Sequence, residues 1–158
     1  MDGGLECRDI NFTSAVSYSL SCLKKEGLKL KPEQLEAIRL VYSGKYVFVW
    51  LLTGYGKSIC YQTLPHLFDY KMKRLGNQLT RRSVVLVVSP LVSLMVDQVS
   101  SFRRAGINSA AILSGNTGVD DKLTASGRDI QEGKFNLLYS APEAIVGVNR
   151  WRQMLSFI

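Results

Sequence analysis

Apolar positions first recur at helical spacing. Val16, Leu20 and Leu23 share one face of a segment from about residue 13 to 26, with Thr13 or Ser14 as N-cap and Gly27 as the stop, which predicts a first helix. A second helix is predicted from Pro32, whose missing N–H is harmless in a first turn, with Leu35, Ile38 and Tyr42 on one face and an end near Ser43-Gly44. The pattern then changes. Tyr46-Val47-Phe48-Val49-Trp50 is a compact β-branched and aromatic run that predicts a strand. Beyond the glycine-punctuated stretch Leu51–Ser58, a helix is predicted from Lys57 to about Tyr70, kinked at Pro65.

The second half alternates in the same way. Val84-Val85-Leu86-Val87-Val88 has no polar interruption, as expected of a strand covered on both faces. Ser89-Pro90 ends it, and a helix is predicted from about Leu91 to Ala105 with Gly106 as its stop. Ala110–Leu113 predicts a short strand, Asp120–Gln131 a polar helix, and Leu137–Tyr139 another strand closed by Ser140-Ala141-Pro142-Glu143. A last helical piece runs toward the C-terminus, where Trp151, Leu155, Phe157 and Ile158 suit either core positions or a terminal amphipathic helix.

Strands alternating with helices predict an α/β fold with a parallel sheet and helical crossovers. In such folds ligands bind beyond the carboxyl ends of the strands. The segments expected there are Thr53–Ser58, Ser89–Ser93, Ser114–Thr117 and Ser140–Glu143, all rich in hydroxyls, glycine or backbone donors.

The first of these has the form of a phosphate loop. Thr53-Gly54-Tyr55-Gly56-Lys57-Ser58 lies between a predicted strand and a predicted helix, the context in which glycines let successive N–H groups face one anion. The start of the helix adds its positive dipole end. Lys57 is the candidate to reach the terminal phosphates, and the Ser58 hydroxyl is the candidate Mg²⁺ ligand. The full G-x-x-x-x-G-K-[ST] pattern departs at its first position, where Leu51 stands. Without the strand and the second glycine, the bland reading would be a tight turn with a surface lysine.

Composition narrows the partners. The 158 residues are 46% apolar and 21% charged, the profile of a single ordinary globular domain. The formal charge of +7 permits a polyanionic partner without requiring one. Cys7, Cys22 and Cys60 have no C-x-x-C spacing, so reduced thiols of an intracellular protein are expected, not a disulfide frame or a zinc site. No apolar run approaches the roughly 18 residues of a membrane span, and Met1–Glu6 does not read as a secretory signal. The single His66, beside Pro65, is expected to be a partly buried structural residue. Lys71, Lys73, Arg74, Arg81 and Arg82, around Gly76-Asn77, read as a solvated basic connection.

Several of these stretches together resemble the RecQ-type DNA helicases of helicase superfamily 2. Leu28-Lys29-Leu30-Lys31-Pro32-Glu33-Gln34-Leu35-Glu36-Ala37-Ile38 resembles that family's motif 0, Thr53–Ser58 with Cys60-Tyr61-Gln62 its motif I, and Val87-Val88-Ser89-Pro90-Leu91-Val92-Ser93 through Gln98 its motif Ia. Tyr139-Ser140-Ala141-Pro142-Glu143 resembles a further strand-contact motif, with Ala141 where a hydroxyl usually stands and Ser140 as its possible substitute. The resemblance covers about residues 25–145. It departs at Leu52, commonly proline, and in lacking an aromatic for the base near Lys25-Glu26-Gly27.

The resemblance implies an incomplete RecA-like lobe at 25–158 behind a helical extension at 1–24. It implies ATP and Mg²⁺ as ligands, with Lys31, Gln34, Thr53, Gly54, Tyr55, Gly56, Lys57 and Ser58 at the nucleotide. A glutamine amide carries the paired donor and acceptor that adenine's edge requires. It further implies sequence-independent contact with single-stranded or forked DNA through Ser89, Pro90, Leu91, Ser93, Gln98, Ser140 and Glu143. The implied whole activity is ATP-driven 3′-to-5′ unwinding, in the nucleus of a eukaryote or the cytoplasm otherwise.

The Asp-Glu-x-His segment and the second lobe of such an enzyme are not found in these residues, and Glu143 is a poor substitute for the carboxylates. Hydrolysis by the chain alone is therefore expected to be negligible, because phosphoryl transfer depends on positioned metal and counter-charge. Two other readings stay open. One is a non-catalytic nucleotide- or DNA-binding module. The other is a different phosphate-loop enzyme such as a kinase, against which motif 0 and the Ser-Pro-Leu-x-Ser segment argue.

Overall fold

The computed structural model describes residues 3–76, 82–113 and 123–147, with side chains from residue 11 to 146 inside those ranges. Two compact units divide the chain between Leu79 and Thr80.

The first unit is helical. Helix α1 (Gly3–Cys22) starts ten residues before the expected cap and ends before the expected stop, so the boundary 13–26 is corrected at both ends. Among the residues whose side chains are described, Phe12, Ala15, Val16, Ser19, Leu20 and Leu23 form a buried stripe at helical spacing, and Phe12 already belongs to it ahead of Thr13. The helix is left through Lys24, whose φ of 56° is the left-handed conformation that ends helices.

Helix α2 (Pro32–Tyr42) starts at its proline as expected, although its buried face is Gln34, Ala37 and Ile38, with Leu35 and Tyr42 at the margins. The single helix expected from Lys57 to Tyr70 is two: α3 (Ser58–Gln62) and α4 (Leu64–Arg74). Pro65 lacks the N–H that a continuous helix would need there and instead sits in the first turn of α4, so the kink becomes a break at Thr63. Thr63 is fully buried at the break, its carbonyl accepting the Ser19 hydroxyl at 2.7 Å and its own hydroxyl bonded back to Ile59 at 3.1 Å. Helix α1 packs on α4 through this link and through Tyr18 against Tyr70, with 5.5 Å between ring centroids.

Of the basic residues expected to be solvated, Lys73, Arg74 and Arg82 are exposed and Lys71 is half-buried. Lys71 Nζ donates to the Tyr42 carbonyl at 3.0 Å, and Lys73 reaches the Tyr18 hydroxyl at 3.5 Å, so both stems lie along neighbouring helices. His66 is half-buried, as expected. Cys22 and Cys60 are free thiols.

The stretch Tyr46–Trp50 is not a strand. It has no ladder partner among the described residues, and Tyr46, Phe48 and Trp50 point into solvent while Val47 and Val49 are half-buried. Alternation suits an extended backbone, but a strand exists only where another backbone supplies its hydrogen bonds.

The second unit holds a three-stranded parallel sheet in the order β1-β3-β2, made of β1 (Val85–Val88), β2 (Ser109–Ile112) and β3 (Leu137–Ser140). Leu137 pairs with both Val85 and Ser109, and Ser140 with both Val88 and Ile112. Helix α5 (Val92–Arg104) covers one face with Met95, Val99 and Phe102, tied down by the Ser109 hydroxyl on the Val99 carbonyl at 3.4 Å. Ala110, Ile112 and Leu138 face the other way, packing with Ala125, with Ile130 of α6 (Gly127–Gln131) and with Ala144 of α7 (Pro142–Gly147). This is the expected α/β architecture, a parallel sheet flanked by helices.

β1 and β2 are the two edges of the sheet, but only β1 is half-buried, ending in an exposed Val88, so burial on both faces is overturned for that strand while β2 and β3 are buried throughout. Of the helix expected over Asp120–Gln131, residues 120–122 lie outside the described residues and the remainder is corrected to the short α6. Ser126 caps it by accepting the Asp129 N–H at 3.1 Å, and Thr124 before it is in a bridge to Ala111. Ser114–Thr117, Arg81 and Trp151–Ile158 lie outside the described residues.

Candidate functional site

In the first unit, the residues read as motif 0 and motif I meet. Gly54 and Gly56 adopt φ of 80° and 86°, the left-handed backbone that bends Thr53–Ser58 into a loop. The loop is closed on itself by the Tyr55 N–H on the Leu52 carbonyl at 3.2 Å. Gln34, 21 residues earlier and 94% buried by its 6% exposure, inserts its amide beneath the loop. Its Nε2 donates to the Tyr55 carbonyl at 2.9 Å and to the Gly56 carbonyl at 3.1 Å, while its Oε1 accepts the Lys31 N–H at 2.9 Å. The last bond is half of a capping box; lysine, having no acceptor, cannot supply the other half. Gly56 is required here twice over, because a Cβ at that position would lie 2.8 Å from Gln34 Nε2.

Tyr55, between the glycines, turns its side chain back to the first turn of α2. Its hydroxyl donates to Glu33 Oε2 at 2.5 Å, and Lys31 Nζ lies 3.7 Å from its ring centroid. The Tyr55 hydrogen bond is the main cause that holds the Glu33 carboxyl below its ordinary pKa, with help from its own backbone N–H and the Lys31 charge. The same bond pushes the Tyr55 phenol up.

Lys57 and Ser58 start α3. Lys57 is exposed and folded onto its own loop, donating to the Leu51 carbonyl at 2.9 Å and the Leu52 carbonyl at 3.0 Å. A phosphate arriving there would exchange those neutral acceptors for charged ones, a stronger pairing. Ser58 is half-buried beside it. Since α3 is only five residues long, anion affinity at this loop rests on the lysine and the loop amides more than on a helix dipole. Burial of Cys60 behind the loop raises its thiol pKa.

The second unit brings together the other group of expected residues at the carboxyl edge of its sheet. The register sets the ends of β1 and β3 side by side, and the Ser89 N–H donates to the Ser140 carbonyl at 3.0 Å. Pro90, Leu91 and Ser93 are exposed, and Gln98 is half-buried one turn and a half further along α5. Leu91 is an extended N-cap without a side-chain cap, and the first helical bond is from the Met95 N–H at 3.2 Å. Ser89 Oγ accepts the Leu91 N–H at 3.4 Å, which leaves its own proton to donate. Ser140 is different: it is fully buried, and its hydroxyl is turned onto the Ala141 carbonyl at 3.1 Å. Glu143 is exposed in the first turn of α7.

The opposite, amino edge of the same sheet carries an open depression of about 620 Å³ lined by Arg82, Arg103, Lys134 and Phe135 among others. Two of its basic groups are engaged by the protein itself. Lys134 is paired with Asp129 at 2.6 Å and Glu132 at 2.9 Å, and Arg103 Nε donates to the Ser109 carbonyl at 2.8 Å.

Two participants escaped the sequence reading. Glu33 stands in the motif 0 stretch without a role of its own, and Tyr55 is assigned to the nucleotide only as part of the loop. Their pairing spans 22 residues and leaves no spacing signal.

Comparison with known proteins agrees with the motifs. A sequence model of the DEAD/DEAH box helicase family matches residues 31–158. The ATP-dependent DNA helicase RecQ of Bacillus subtilis is 35% identical over 123 residues, which are 76% of this chain and 18% of that protein. The ATP-dependent DNA helicase hus2/rqh1 of Schizosaccharomyces pombe is 40% identical over 129 residues, 80% of this chain and 9% of that protein. The ATP-dependent helicase SGS1 of Saccharomyces cerevisiae is 33% identical over 126 residues, 80% and 8% respectively. The chain thus spans less than a fifth of the length of each of these relatives. With the family's match running from Lys31 of motif 0 through the phosphate loop and the whole second unit, this chain belongs to the DEAD/DEAH box helicase family.

Proposed function

We propose that this chain is the nucleotide-binding and strand-binding part of a RecQ-type, ATP-dependent 3′-to-5′ DNA helicase. Residues 25–158 form part of its first RecA-like lobe, and residues 1–24 are a helical extension. The observation that carries the reading is the meeting of Lys31 and Gln34 with the Tyr55–Lys57 loop, which sets a base-reading amide against a phosphate loop. ATP fits what is present. The glycine positions leave the loop backbone open to an anion, Lys57 is exposed beside it, and the Gln34 amide lies against it.

Mg²⁺ fits in the manner usual for nucleotide sites. Among the described residues no cluster of three metal-ligating side chains exists, so the Ser58 hydroxyl is the protein's candidate ligand, with phosphate and water completing the shell. When bound, ATP supplies the free energy that drives strand movement. This chain's residues bind and orient it: Thr53, Gly54, Tyr55 and Gly56 shape the loop, Lys57 holds the phosphates, and Gln34 selects adenine. Both Nε2 protons of Gln34 are engaged by the loop, so reading adenine requires at least one of those carbonyls to be released, which couples base recognition to loop shape.

DNA is bound without base readout, through phosphate contacts from Ser89, Ser93, the amides at the start of α5, Gln98 and Glu143's turn. Ser140 contributes only after its hydroxyl rotates away from Ala141. Such an enzyme works where DNA is kept, inside the cell and in the nucleus of a eukaryote; no helix among the described residues is long and apolar enough to cross a membrane.

The test is competition of ATP against GTP on the wild type and Gln34→Ala, with single-stranded oligonucleotide anisotropy measured over a salt series. Adenine preference that is lost in Gln34→Ala, together with DNA affinity that falls steeply with salt and is indifferent to sequence, is the expected result. Equal affinity for both nucleotides in the wild type, or a sequence-selective DNA signal, contradicts the reading.

A further inference from the structure

We infer that Tyr55 is a specificity-determining positioning residue, a latch that fastens the tip of the phosphate loop to the base-facing first turn of α2. The inference rests on the nucleotide-site reading and deepens it. Three consecutive-turn residues of α2 converge on this one loop residue by three different chemistries. Glu33 accepts the phenol proton at 2.5 Å, Lys31 sets its ammonium 3.7 Å from the ring centroid, and Gln34 donates to the Tyr55 carbonyl at 2.9 Å. The backbone on either side of Tyr55 is glycine with positive φ, the most permissive kind, so the loop's own chain does little to select one conformation. The side chain of Tyr55 does that selecting.

The arrangement has a directional consequence. Lys31 and Gln34 are the residues assigned to the base, whereas Lys57 and Ser58 are assigned to the phosphates. The Tyr55 side chain holds Lys31 and Glu33, and its carbonyl accepts from Gln34, whereas Lys57 is held by the Leu51 and Leu52 carbonyls. Losing the side chain therefore frees Lys31 directly and Gln34 through the loosened loop, while leaving the phosphate-facing lysine where it is. The charge on the pair supports the geometry: the phenol's hydrogen bond lowers the Glu33 pKa, and a charged acceptor makes the stronger bond. The ring also gives Lys31 a fixed seat in place of the several rotamers of a free surface lysine.

The test compares ATP with inorganic tripolyphosphate, both with Mg²⁺, by calorimetry on the 158-residue chain as wild type, Tyr55→Ala, Tyr55→Phe and Glu33→Gln. Tyr55→Ala is expected to weaken ATP by about tenfold, the scale of one charge-assisted contact, while tripolyphosphate changes by less than about twofold. Tyr55→Phe keeps the seat for Lys31 and falls between, and Glu33→Gln, which keeps an amide oxygen to accept the phenol proton but loses the charge, loses no more than Tyr55→Phe. Amide hydrogen exchange across residues 30–35 of the free protein is expected to speed up in Tyr55→Ala with no change in α1 and α4. Equal losses for both ligands, or no loss for either, overturn the specificity role. If the wild type binds neither ligand, the nucleotide reading fails and the specificity role with it; if the wild type binds ATP and exchange at 30–35 is unmoved by Tyr55→Ala, the latch alone is overturned.

Discussion

Gly56→Ala tests the closest approach in the candidate site. Two separate effects act at this position. The backbone φ of 86° is left-handed, which costs a residue with a Cβ about 1–2 kcal/mol. The new Cβ would also lie 2.8 Å from Gln34 Nε2, so that the amide must withdraw from the Tyr55 and Gly56 carbonyls. Losing those bonds adds about 1–2 kcal/mol. Gly54 provides the control: its φ is 80°, nearly the same, but nothing lies within 4 Å of its would-be Cβ. Each variant loop relaxes out of its strained shape, and ligand binding has to restore it, so the strain is read as lost affinity for ATP–Mg²⁺.

Gly54→Ala is expected to lose roughly 5- to 30-fold and Gly56→Ala roughly tenfold more, each 1.4 kcal/mol being a factor of ten. Placing Gly56→Ala in a Gln34→Ala background removes the clashing amide, and the extra tenfold should disappear, a non-additivity that a double-mutant cycle measures directly. Urea denaturation checks that the helical unit survives in each variant. If Gly56→Ala and Gly54→Ala lose equally, or if the excess persists without Gln34, then the packing of Gln34 under the loop is not what makes Gly56 necessary.

Other perturbations address the second unit. Leu138, with 1% exposure among Ala110, Ile112, Ile130 and Ala144, should cost about 2–5 kcal/mol in urea denaturation as Leu138→Ala, whereas Val88→Ala at the exposed end of β1 should stay within about 0.5 kcal/mol. Ser126→Ala removes the cap on the Asp129 N–H and should cost about 1 kcal/mol by the same measurement. The Asp129–Glu132–Lys134 cluster has a defined pH signature. Hydrogen bonds from Lys134, then from Ser126 and Arg128 respectively, hold Asp129 and Glu132 below their ordinary pKa, and the two carboxylates hold Lys134 above its own. The carboxylates' contribution to stability is thus complete above the ordinary carboxylate range and is lost as pH falls through their depressed values; that of Lys134 is complete below its ordinary value and is lost as pH rises through its raised one. In Lys134→Met, carboxyl titration by NMR should show Asp129 and Glu132 both moving up; unchanged values would mean that the contacts are not kept in solution.

The elements that were legible in the sequence are those whose own residues decide them. Pro32 placed α2, Ser89-Pro90 and Gly106 bracketed α5, and the apolar runs at 84–88, 110–113 and 137–139 placed the parallel strands to within a residue. Elements decided by partners were not legible. Phe12, ahead of the expected cap, is buried in α1 and meets the Tyr42 ring of α2 with 5.5 Å between centroids, a contact that no local rule anticipates. Tyr46–Trp50 has a strand's composition, but pairing is a property of two segments, and none of the described residues pairs with it. In the candidate site the motifs pointed to the right backbone. The wiring among them did not show, because Gln34 and Tyr55 meet across 21 residues through bonds that depend on the curl of a two-glycine loop.

The account's central claim is that Thr53–Ser58 is a formed phosphate loop with Lys57 as its cation. Titration of the wild type and Lys57→Ala with ATP in the presence of Mg²⁺ tests it most directly. Saturable one-to-one binding by the wild type, weakened by at least about a hundredfold in a Lys57→Ala protein of unchanged stability, is the predicted result. Binding that survives the loss of Lys57, or a folded wild type that takes up no ATP, would contradict it.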